Sequence, residues 1–522
     1  VYRSKKSILT VDSTSVTVKG EETALEEVYG GSVISGTVSS SDLSLVTVGN
    51  TSVTLESGVV SDYLVGGNNV NLVGGNNVNW FGQGVVGVLD DENGQYSYAG
   101  HKFNDGSTHV TLKGGGSESL VVVGANFVDY SSYIDQNSDR KAAMFGASTV
   151  DIEGGTAQFV IGGGHAVYGG TTQTGDPTDT APESTLKGTS AINISGGELE
   201  YVVGAGAAFS YGETPQAMAS VATQEGTSTI SIRGGTAENV IGGGLVLNKG
   251  DASLTGASTI NISGGTVGNV VGGGYIYGSD STTQDSNKAT VSSTKISISG
   301  GEIAGAIYAG GMKDEGALGD VSVTGDAQVV FLADIGFEGL VDGTKDTVEG
   351  TSSLIFGDAE HQYDSAFEGT FRNFDRVEAA QGSSVTFASI TNDNVGEALA
   401  LGGEGEINVT ALKLSDGTLT IDGGTVSIDS IDVSESGKLS LDGGTLRSAS
   451  DQLFTQSLGE AYEATNAGSL KDGLELRSGT LAVTDESYNL GYAASAASLV
   501  DAGNVTLVFT GDLINTDRKS VV

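Results

Sequence analysis

The chain has 522 residues, with 65 acidic residues against 24 basic ones, a formal net charge of −41 and no cysteine. This charge opposes binding to nucleic acid or to an anionic membrane, and the lack of cysteine excludes disulfides as a source of stability. No stretch approaches the roughly 20 apolar residues that a membrane-spanning helix requires.

Residues 1–145 alternate short apolar stretches with glycine turns, as in the segments that begin at Val53 and Val110. Such alternation is typical of half-buried strands, and we predict irregular β-helical coils over this range. Its densest acidic cluster is Asp90-Asp91-Glu92-Asn93, which Gly94 follows. The spacing does not match a calcium-binding loop, so we interpret this cluster as a turn.

Residues 146–315 repeat one unit five times, at residues 150–164, 192–206, 230–244, 260–274 and 296–311. In the fourth copy Ile260 and Ile262 alternate with polar residues, which predicts a strand. Gly264-Gly265 then turns the chain, a second strand follows, and a glycine run leads to a third strand at residues 275–277. A repeated unit with spacers of variable length is typical of a solenoid.

Stacking of these units brings equivalent residues into columns, with strands about 4.8 Å apart. The predicted apolar columns are Ile152, Ile194, Ile232, Ile262 and Ile298, and Val160, Val202, Val240 and Val270. We assign structural roles to the paired glycines and to two asparagines that can bond through their amides along the stack. These residues are Gly154, Gly155, Gly196, Gly197, Gly234, Gly235, Gly264, Gly265, Asn239 and Asn269.

Three polar spacers, residues 171–185, 212–227 and 279–293, follow the third strand of a unit. We therefore expect them to leave the stack at one corner and to share one side. Insertions on one side of a repeat stack often carry binding. The alternative is that they are solvated insertions without a role.

Residues 316–450 form a second predicted β-helical section with shorter coils, in which the corner Asp-Gly-Gly-Thr occurs twice, after Ile421 and Leu441. Residues 451–472 and 488–501 are rich in Ala and Leu, and strand patterning returns at Val505. We predict that residues 451–522 form a capping region of mixed structure over the open end of the stack. The predicted fold is therefore all-β, a right-handed parallel β-helix with loop insertions and a mixed C-terminal cap.

No catalytic pattern emerges from the four histidines, His101, His109, His165 and His361. There is no nucleophile elbow, phosphate-binding loop or zinc-binding motif. We predict no catalytic, cofactor-binding or metal-ligating residue, although calcium remains open for so acidic a chain. A polysaccharide lyase or glycoside hydrolase is the enzymatic alternative, and it requires paired carboxylates on one face.

Aromatic residues cluster after the glycine runs, at Tyr168, Phe209, Tyr211, Tyr275 and Tyr277. If they stack on an exposed face they can grip a ligand, and Tyr168, Tyr211, Tyr275 and Tyr277 are the candidate binding residues. If they point inward they belong to the core, and we favour this alternative.

The motifs I-x-I-x-G-G-T-x-x-N-V-V-G-G-G and L-x-L-D-G-G-T-L, in an acidic chain without cysteine, resemble passenger domains of Gram-negative autotransporters. The resemblance implies export through the inner membrane, passage through an outer-membrane barrel and folding outside the cell. The signal peptide and the barrel of that family have no counterpart in this sequence, so we interpret the chain as a mature or excised piece.

The expected function is that of an extracellular adhesin displayed at a bacterial cell surface or secreted, which binds a surface glycan or protein through loops on one side. A second hypothesis is a self-associating protein of a coat, fibre or biofilm, and the polysaccharide-active enzyme is a third. None of these involves nucleic acid or insertion of this segment into a membrane.

Overall fold

A computed structural model of the chain describes residues 8–31, 33–37, 45–67, 69–73, 80–81, 88–90, 95–98, 101–103, 106–130, 141–168, 181–211, 219–278, 287–455, 470–485, 487–489, 504–510 and 512–514. The described residues are mainly β-strand, paired for the most part in parallel. They divide into two compact units. Unit 1 comprises residues 1–327 and 346–350, and unit 2 comprises residues 328–345 and 351–522.

The described strands of unit 1 are β1 (Ile8–Val18), β2 (Ala24–Tyr29), β3 (Val33–Thr37), β4 (Leu45–Leu55), β5 (Val59–Val65), β6 (Asn69–Val73), β7 (Trp80–Phe81), β8 (Val88–Asp90), β9 (Gln95–Tyr98), β10 (His101–Phe103), β11 (Gly106–Leu112), β12 (Val121–Val123), β13 (Phe127–Tyr130), β14 (Lys141–Ile152), β15 (Thr156–Ile161), β16 (His165–Tyr168), β17 (Glu183–Lys187), β18 (Ser190–Ile194), β19 (Glu198–Val203), β20 (Ala207–Ser210), β21 (Ser220–Glu225), β22 (Ser228–Ile241), β23 (Leu245–Leu247), β24 (Gly250–Asp251), β25 (Leu254–Val271), β26 (Tyr275–Tyr277), β27 (Lys288–Ile303), β28 (Ile307–Tyr308), β29 (Met312–Lys313) and β30 (Asp320–Val323).

The described elements of unit 2 are β31 (Ala327–Phe331, which begins at the last residue of unit 1), β32 (Leu340–Asp342), β33 (Ser352–Phe356), β34 (Asp364–Ala366), β35 (Thr370–Arg372), β36 (Arg376–Ala379), β37 (Ser384–Thr391), α1 (Asn392–Val395), β38 (Ala398–Gly403), β39 (Glu406–Leu414), β40 (Thr418–Ile421), β41 (Thr425–Val433), β42 (Lys438–Ser448), α2 (Ser450–Leu453), β43 (Leu474–Val483), β44 (Ser487–Asn489), β45 (Val505–Phe509) and β46 (Asp512–Ile514). A 3₁₀ turn spans Lys345–Thr347.

The predicted columns of unit 1 are confirmed, because equivalent residues of successive sequence repeats are direct partners in parallel strand pairs. Ile152 pairs with Ile194, and the column continues through Ile232 and Ile262 to Ile298. The valines pair in the same way, from Val160 through Val202 and Val240 to Val270. All nine side chains are at most 1% exposed. Burial of these columns, which a single unit cannot achieve, stabilises the stack.

The predicted third strand of each sequence repeat is also present. β16, β20, β23 and β26 lie in register in one parallel sheet, which continues to β13, β6 and β3 on one side and to β29 on the other. One face of this sheet packs Ala166, Ala208, Val246 and Ile276 against other buried residues of unit 1, including Ala222. Successive side chains of a strand point to opposite faces of the sheet, so the residues next to these along each strand lie on the other face.

The prediction that the three spacers are loops is wrong for residues 183–185, 220–225 and 288–293, which lie in strands. β17 begins at Glu183, β21 at Ser220 and β27 at Lys288, and β21 pairs in parallel with β17 and β24. Each spacer thus ends in an additional strand whose small residues, such as Ala222 and Ala289, are buried. Residues 169–180, 212–218 and 279–286 lie outside the described residues.

The paired glycines let successive coils approach one another closely. Gly155, Gly197, Gly235 and Gly265 have φ angles of +85°, +94°, +77° and +78°, in the region that favours glycine. A Cβ atom added at Gly265 would lie 2.7 Å from the carbonyl oxygen of Gly235. The spacing of the stack at this corner therefore requires glycine.

Unit 2 also pairs its strands in parallel, with fewer residues between paired strands than in unit 1. Ile407 pairs with Val426 and Val426 with Leu446, which places the two Asp-Gly-Gly-Thr corners in adjacent coils. The parallel pairing continues from β42 to β43 and from β43 to β45. The described part of the predicted C-terminal cap therefore extends the sheet, and its described helix is limited to α2. Residues 456–469 and 490–503 lie outside the described part of the chain.

Candidate functional site

An aromatic surface forms in unit 1 where the second and third strands of successive units meet at the glycine run. The second strands contribute residues on the face opposite the Val160 column, such as Ile161 and Val203, and the third strands contribute residues such as Phe209. We call this surface the aromatic corner. Its rings belong to Tyr63, Phe127, Phe159, His165, Tyr201, Phe209, Tyr211, Tyr275 and Tyr277.

The rings contact one another along the stack. Tyr63 stacks on Phe127 with ring centroids 4.2 Å apart, and Phe127 lies 5.4 Å from His165. Phe209 meets the edge of His165 at 4.6 Å and that of Phe159 at 5.1 Å. Offset and edge-on contacts of this kind add to the energy of burying the rings. The ring contacts are therefore continuous from Tyr63 to Phe209 and Tyr211, whereas Tyr275 and Tyr277 contact each other and Tyr275 packs against the same apolar cluster.

Two of the four candidate binding tyrosines are well exposed at the corner. Tyr211 is 55% exposed and Tyr277 is 42% exposed, while Tyr275 is half-buried. Tyr168 is only 2% exposed, because it follows Val167 on β16 and so faces the opposite side of the sheet. We therefore leave Tyr168 out of the candidate surface.

Tyr275 and its surroundings link the corner to nearby carboxylates. Its hydroxyl donates to Asp314, whose other oxygen accepts the backbone N–H of Gly278 at 3.2 Å. Burial, together with this bond to Asp314, raises the pKa of Tyr275 above its ordinary value. Burial and then the negative neighbours, Glu200 among them, raise the pKa of Tyr201 in the same direction. These phenols stay protonated near neutral pH and offer donors as well as ring faces.

The imidazole of His165 is packed among the rings of the aromatic corner. It is 1% exposed, and its Nδ1 donates to the carbonyl oxygen of Ala207 at 2.9 Å. Burial lowers the pKa of His165 to about 4, although the bond to Ala207 acts in the opposite direction. His165 is thus a neutral, packed ring at physiological pH. Its column partner on β13 is Phe127.

The two asparagines singled out in the sequence are direct partners on the exterior of the stack. Asn269 donates through Nδ2 to Oδ1 of Asn239 at 3.2 Å and accepts the backbone N–H of Ala306 at 3.1 Å. They occupy the column that holds Tyr201 and Phe159 in the preceding units. Along the stack, the two aromatic side chains of this column are therefore followed by two asparagine amides.

A row of carboxylates lies beside the aromatic corner. Glu118, Glu198, Glu200 and Glu238 line a depression of about 560 Å³ in unit 1. None of the residues that line this depression is a lysine, an arginine or a histidine. Across the described ranges, no group of three or more Asp, Glu, His or Cys residues could hold a metal ion. Asp90 ends β8, and the rest of the acidic cluster at residues 91–94 lies outside the described ranges.

Among the helices of the described residues, none is long and apolar enough to cross a membrane. Comparison with protein-family models, with curated proteins and with solved structures finds no match to this chain.

Proposed function

We propose that the chain is a right-handed parallel β-helix that acts as an adhesin at a bacterial surface, with the aromatic corner as its contact surface. The observation that carries the proposal is the position of the exposed rings. Tyr211 and Tyr277 lie at the corner, one and two residues before the polar spacers at residues 212–227 and 279–293. These two exposed rings can thus contact a partner directly.

The parallel pairing supports the β-helical part of the proposal. The strands of one repeat pair with the equivalent strands of the next, as β22 with β25 at Ile232–Ile262 and Val240–Val270, and β23 with β26 at Val246–Ile276. A coil that stacks on its copies satisfies backbone hydrogen bonds on both sides. Such a stack suits display, because it holds its surface residues at fixed spacing.

The chemistry of the aromatic corner determines which chemical groups a partner must present. Exposed tyrosines supply large, rigid contact area with a polar tip, and Glu200 and Glu238 lie close enough to Tyr201 to affect its pKa. Rings flanked by carboxylates favour neutral or cationic groups, since cations are attracted to aromatic faces. A surface protein with exposed Lys or Arg, or a neutral surface glycan, meets these requirements.

The direct test replaces the two exposed tyrosines together, as Tyr211→Ser with Tyr277→Ser. We expect attachment of the purified chain to target cells, measured by flow cytometry, to fall at least tenfold. The matched control is Leu25→Ser with Val59→Ser, which removes side chains 40% and 43% exposed elsewhere in unit 1. Unchanged attachment by the tyrosine variant, with circular dichroism intact, would overturn the proposal.

Self-association is the second candidate, because exposed rings such as Tyr211 and Tyr277 can also join copies of the chain. Sedimentation across a concentration series, with and without millimolar calcium, separates the two functions. Growth of ordered assemblies that the tyrosine variant abolishes would favour a coat or fibre. Single particles throughout, together with attachment to cells, would favour the adhesin.

The carboxylate row is the feature that a polysaccharide-active enzyme would need. Its lining includes Glu198, Glu200 and Glu238 but no basic residue, which gives an anionic sugar no counter-charge. Release of reducing ends from neutral polysaccharides, lost in Glu200→Gln, is the result that would favour this third candidate.

A further inference from the structure

A groove in unit 2 is lined by both polar and apolar residues, none of which belongs to the aromatic corner. It has a volume of about 1020 Å³ and is lined by residues of β34, β35, β37 and α1, together with Leu340 and Thr410. Its size suits a ligand of several rings, since small-molecule sites commonly measure about 300–1,000 Å³. We propose that this groove binds a neutral oligosaccharide.

The groove exists because α1 stands beside strands that carry small outward residues. Ala366, Thr386 and Ala388 lie along its length, and α1 packs against β35 and β37. Beneath them, Phe371 and Phe387 form an apolar layer with ring centroids 5.2 Å apart, and each ring is 3% exposed. The groove thus has a rigid floor and a surface of small or polar side chains.

The polar groups at the rim are held in place before any ligand arrives. Arg372 donates through Nε to Asp342 at 2.7 Å, and Asn373 donates to the other oxygen of Asp342 at 3.0 Å. Asn373 has a φ angle of +59°, a conformation that asparagine tolerates better than most residues. Asn394 accepts from the backbone N–H of Thr391 at 2.8 Å. Preorganised side chains lose little entropy on binding.

The lining disfavours a protein or peptide. An interface hot spot needs an accessible aromatic or arginine anchor in an apolar setting, but Phe371 and Phe387 are buried. An added peptide strand needs a free sheet edge. β37 is already paired with β34 and β39, and at β35 the carbonyl of Phe371 accepts a bond from Asn394 at 2.8 Å.

The remaining chemistry favours hydroxyl-rich ligands without charge. Hydroxyl side chains, such as those of Thr370 and Ser389, offer both donors and acceptors. The charge of Arg372 is compensated by Asp342, which is 4% exposed. Glu368 and Asp393 also line the groove and repel anionic sugars. An oligosaccharide that crosses β34, β37 and β39 would meet strands at the usual spacing of about 4.8 Å, close to the repeat of a pyranose chain.

The test is isothermal titration of the full chain with hexasaccharides of β-1,4-glucan, α-1,4-glucan, mannan and β-1,4-N-acetylglucosamine, and with hexagalacturonate as the anionic contrast. We expect at least one neutral hexamer to bind, more tightly than its disaccharide, and hexagalacturonate to bind at least tenfold more weakly. Lack of binding by every neutral hexamer, or preference for hexagalacturonate, would overturn the proposal.

Two variants locate the binding. Ala388→Trp and Thr370→Trp fill the groove from different strands, and each should lower the affinity for the neutral hexamer at least tenfold. Ser430→Trp, at an exposed position of β41 that does not line the groove, should bind as the wild type does. Wild-type affinity in either groove variant, with circular dichroism unchanged, would show that the sugar binds elsewhere and would refute the assignment.

Discussion

Replacement of His165 by phenylalanine is expected to remove a specific loss of stability at acidic pH. The side chain is buried among rings, and its only polar contact among the described residues is the bond to Ala207. Burial lowers the pKa of His165 from 6.5 to about 4 in the folded chain. Between these values the unfolded chain takes up a proton that the folded chain does not, so the folded state loses stability as the pH falls.

The size of this effect follows from the two pKa values. Stability from this group is fully present above pH 6.5 and is lost progressively until about pH 4. The loss amounts to about 2 kcal/mol at pH 5 and about 3 kcal/mol at pH 4. No charged side chain forms a hydrogen bond with the imidazole in the described structure, so burial dominates the difference.

Hydrogen exchange of peptides that cover β16 and β20 measures this loss locally. Wild type and His165→Phe are compared at the same pH, which cancels the intrinsic pH dependence of exchange. Between pH 7.5 and pH 5, protection in the wild type should fall about 30-fold more than in the variant. His109→Gln, at an exposed histidine that contacts Asp151 at 2.7 Å, should behave as the wild type. An equal fall in His165→Phe would refute the reasoning.

Five further substitutions, forming three tests, probe buried contacts and close approaches, with urea midpoints as the measurement. Ser228→Ala should lower the free energy of unfolding by about 1–2 kcal/mol, since the buried hydroxyl donates to the carbonyl oxygen of Gly242 at 2.9 Å. Ser258→Ala should be neutral or stabilising, because that buried hydroxyl lacks a partner in the described structure. Equal losses of stability in the two variants would contradict this difference. Gly265→Ala should reduce stability more than Gly336→Ala, since both glycines have a positive φ but only Gly336 has open space around it. Equal shifts of the urea midpoint would contradict the close approach of the backbone at Gly265. Ile262→Ala should cost about 2–5 kcal/mol, and a cost below about 1 kcal/mol would contradict its place in the buried column.

The columns of unit 1 were predictable because the repeat fixes both the letters and the alternation. Once Ile262 and Val270 are recognised as equivalent to Ile232 and Val240, stacking leaves little choice of register. The same alternation also predicts that Tyr168 and Tyr275 do not share a face of the sheet. Counted from the glycine run, Tyr275 is the first residue of its strand and Tyr168 the fourth, so they face opposite sides.

The additional strands in the spacers were harder to predict because their buried residues are small or polar. In β21, Ser220, Ala222 and Gln224 are buried while the residues between them are not. Hydrophobicity gives no signal for such a strand, since its inward residues resemble those of a loop. Gln224 satisfies its amide by bonds to Thr227 at 2.8 Å and to Ser190 at 3.0 Å.

The sequence identified Tyr211, Tyr275 and Tyr277 as candidate binding residues, but the full extent of the aromatic corner and the groove of unit 2 could not be predicted from it. The aromatic corner requires Phe159 and Phe209, on different strands, to meet across a turn, and the angle of that turn leaves no periodic pattern. The groove depends on four residues of α1 that follow β37. Both arise from the path of the backbone between strands, which hydrophobic patterning does not determine.

The most direct test of the account places a photoreactive benzoylphenylalanine at Tyr211 or Tyr277 and irradiates the chain while it is attached to target cells. Leu25, 40% exposed elsewhere in unit 1, is the control position. The account predicts crosslinks to one cell-surface component from Tyr211 and Tyr277 and none from Leu25. Crosslinks only between copies of the chain, or none from either tyrosine during attachment, would contradict the aromatic corner as the adhesive surface.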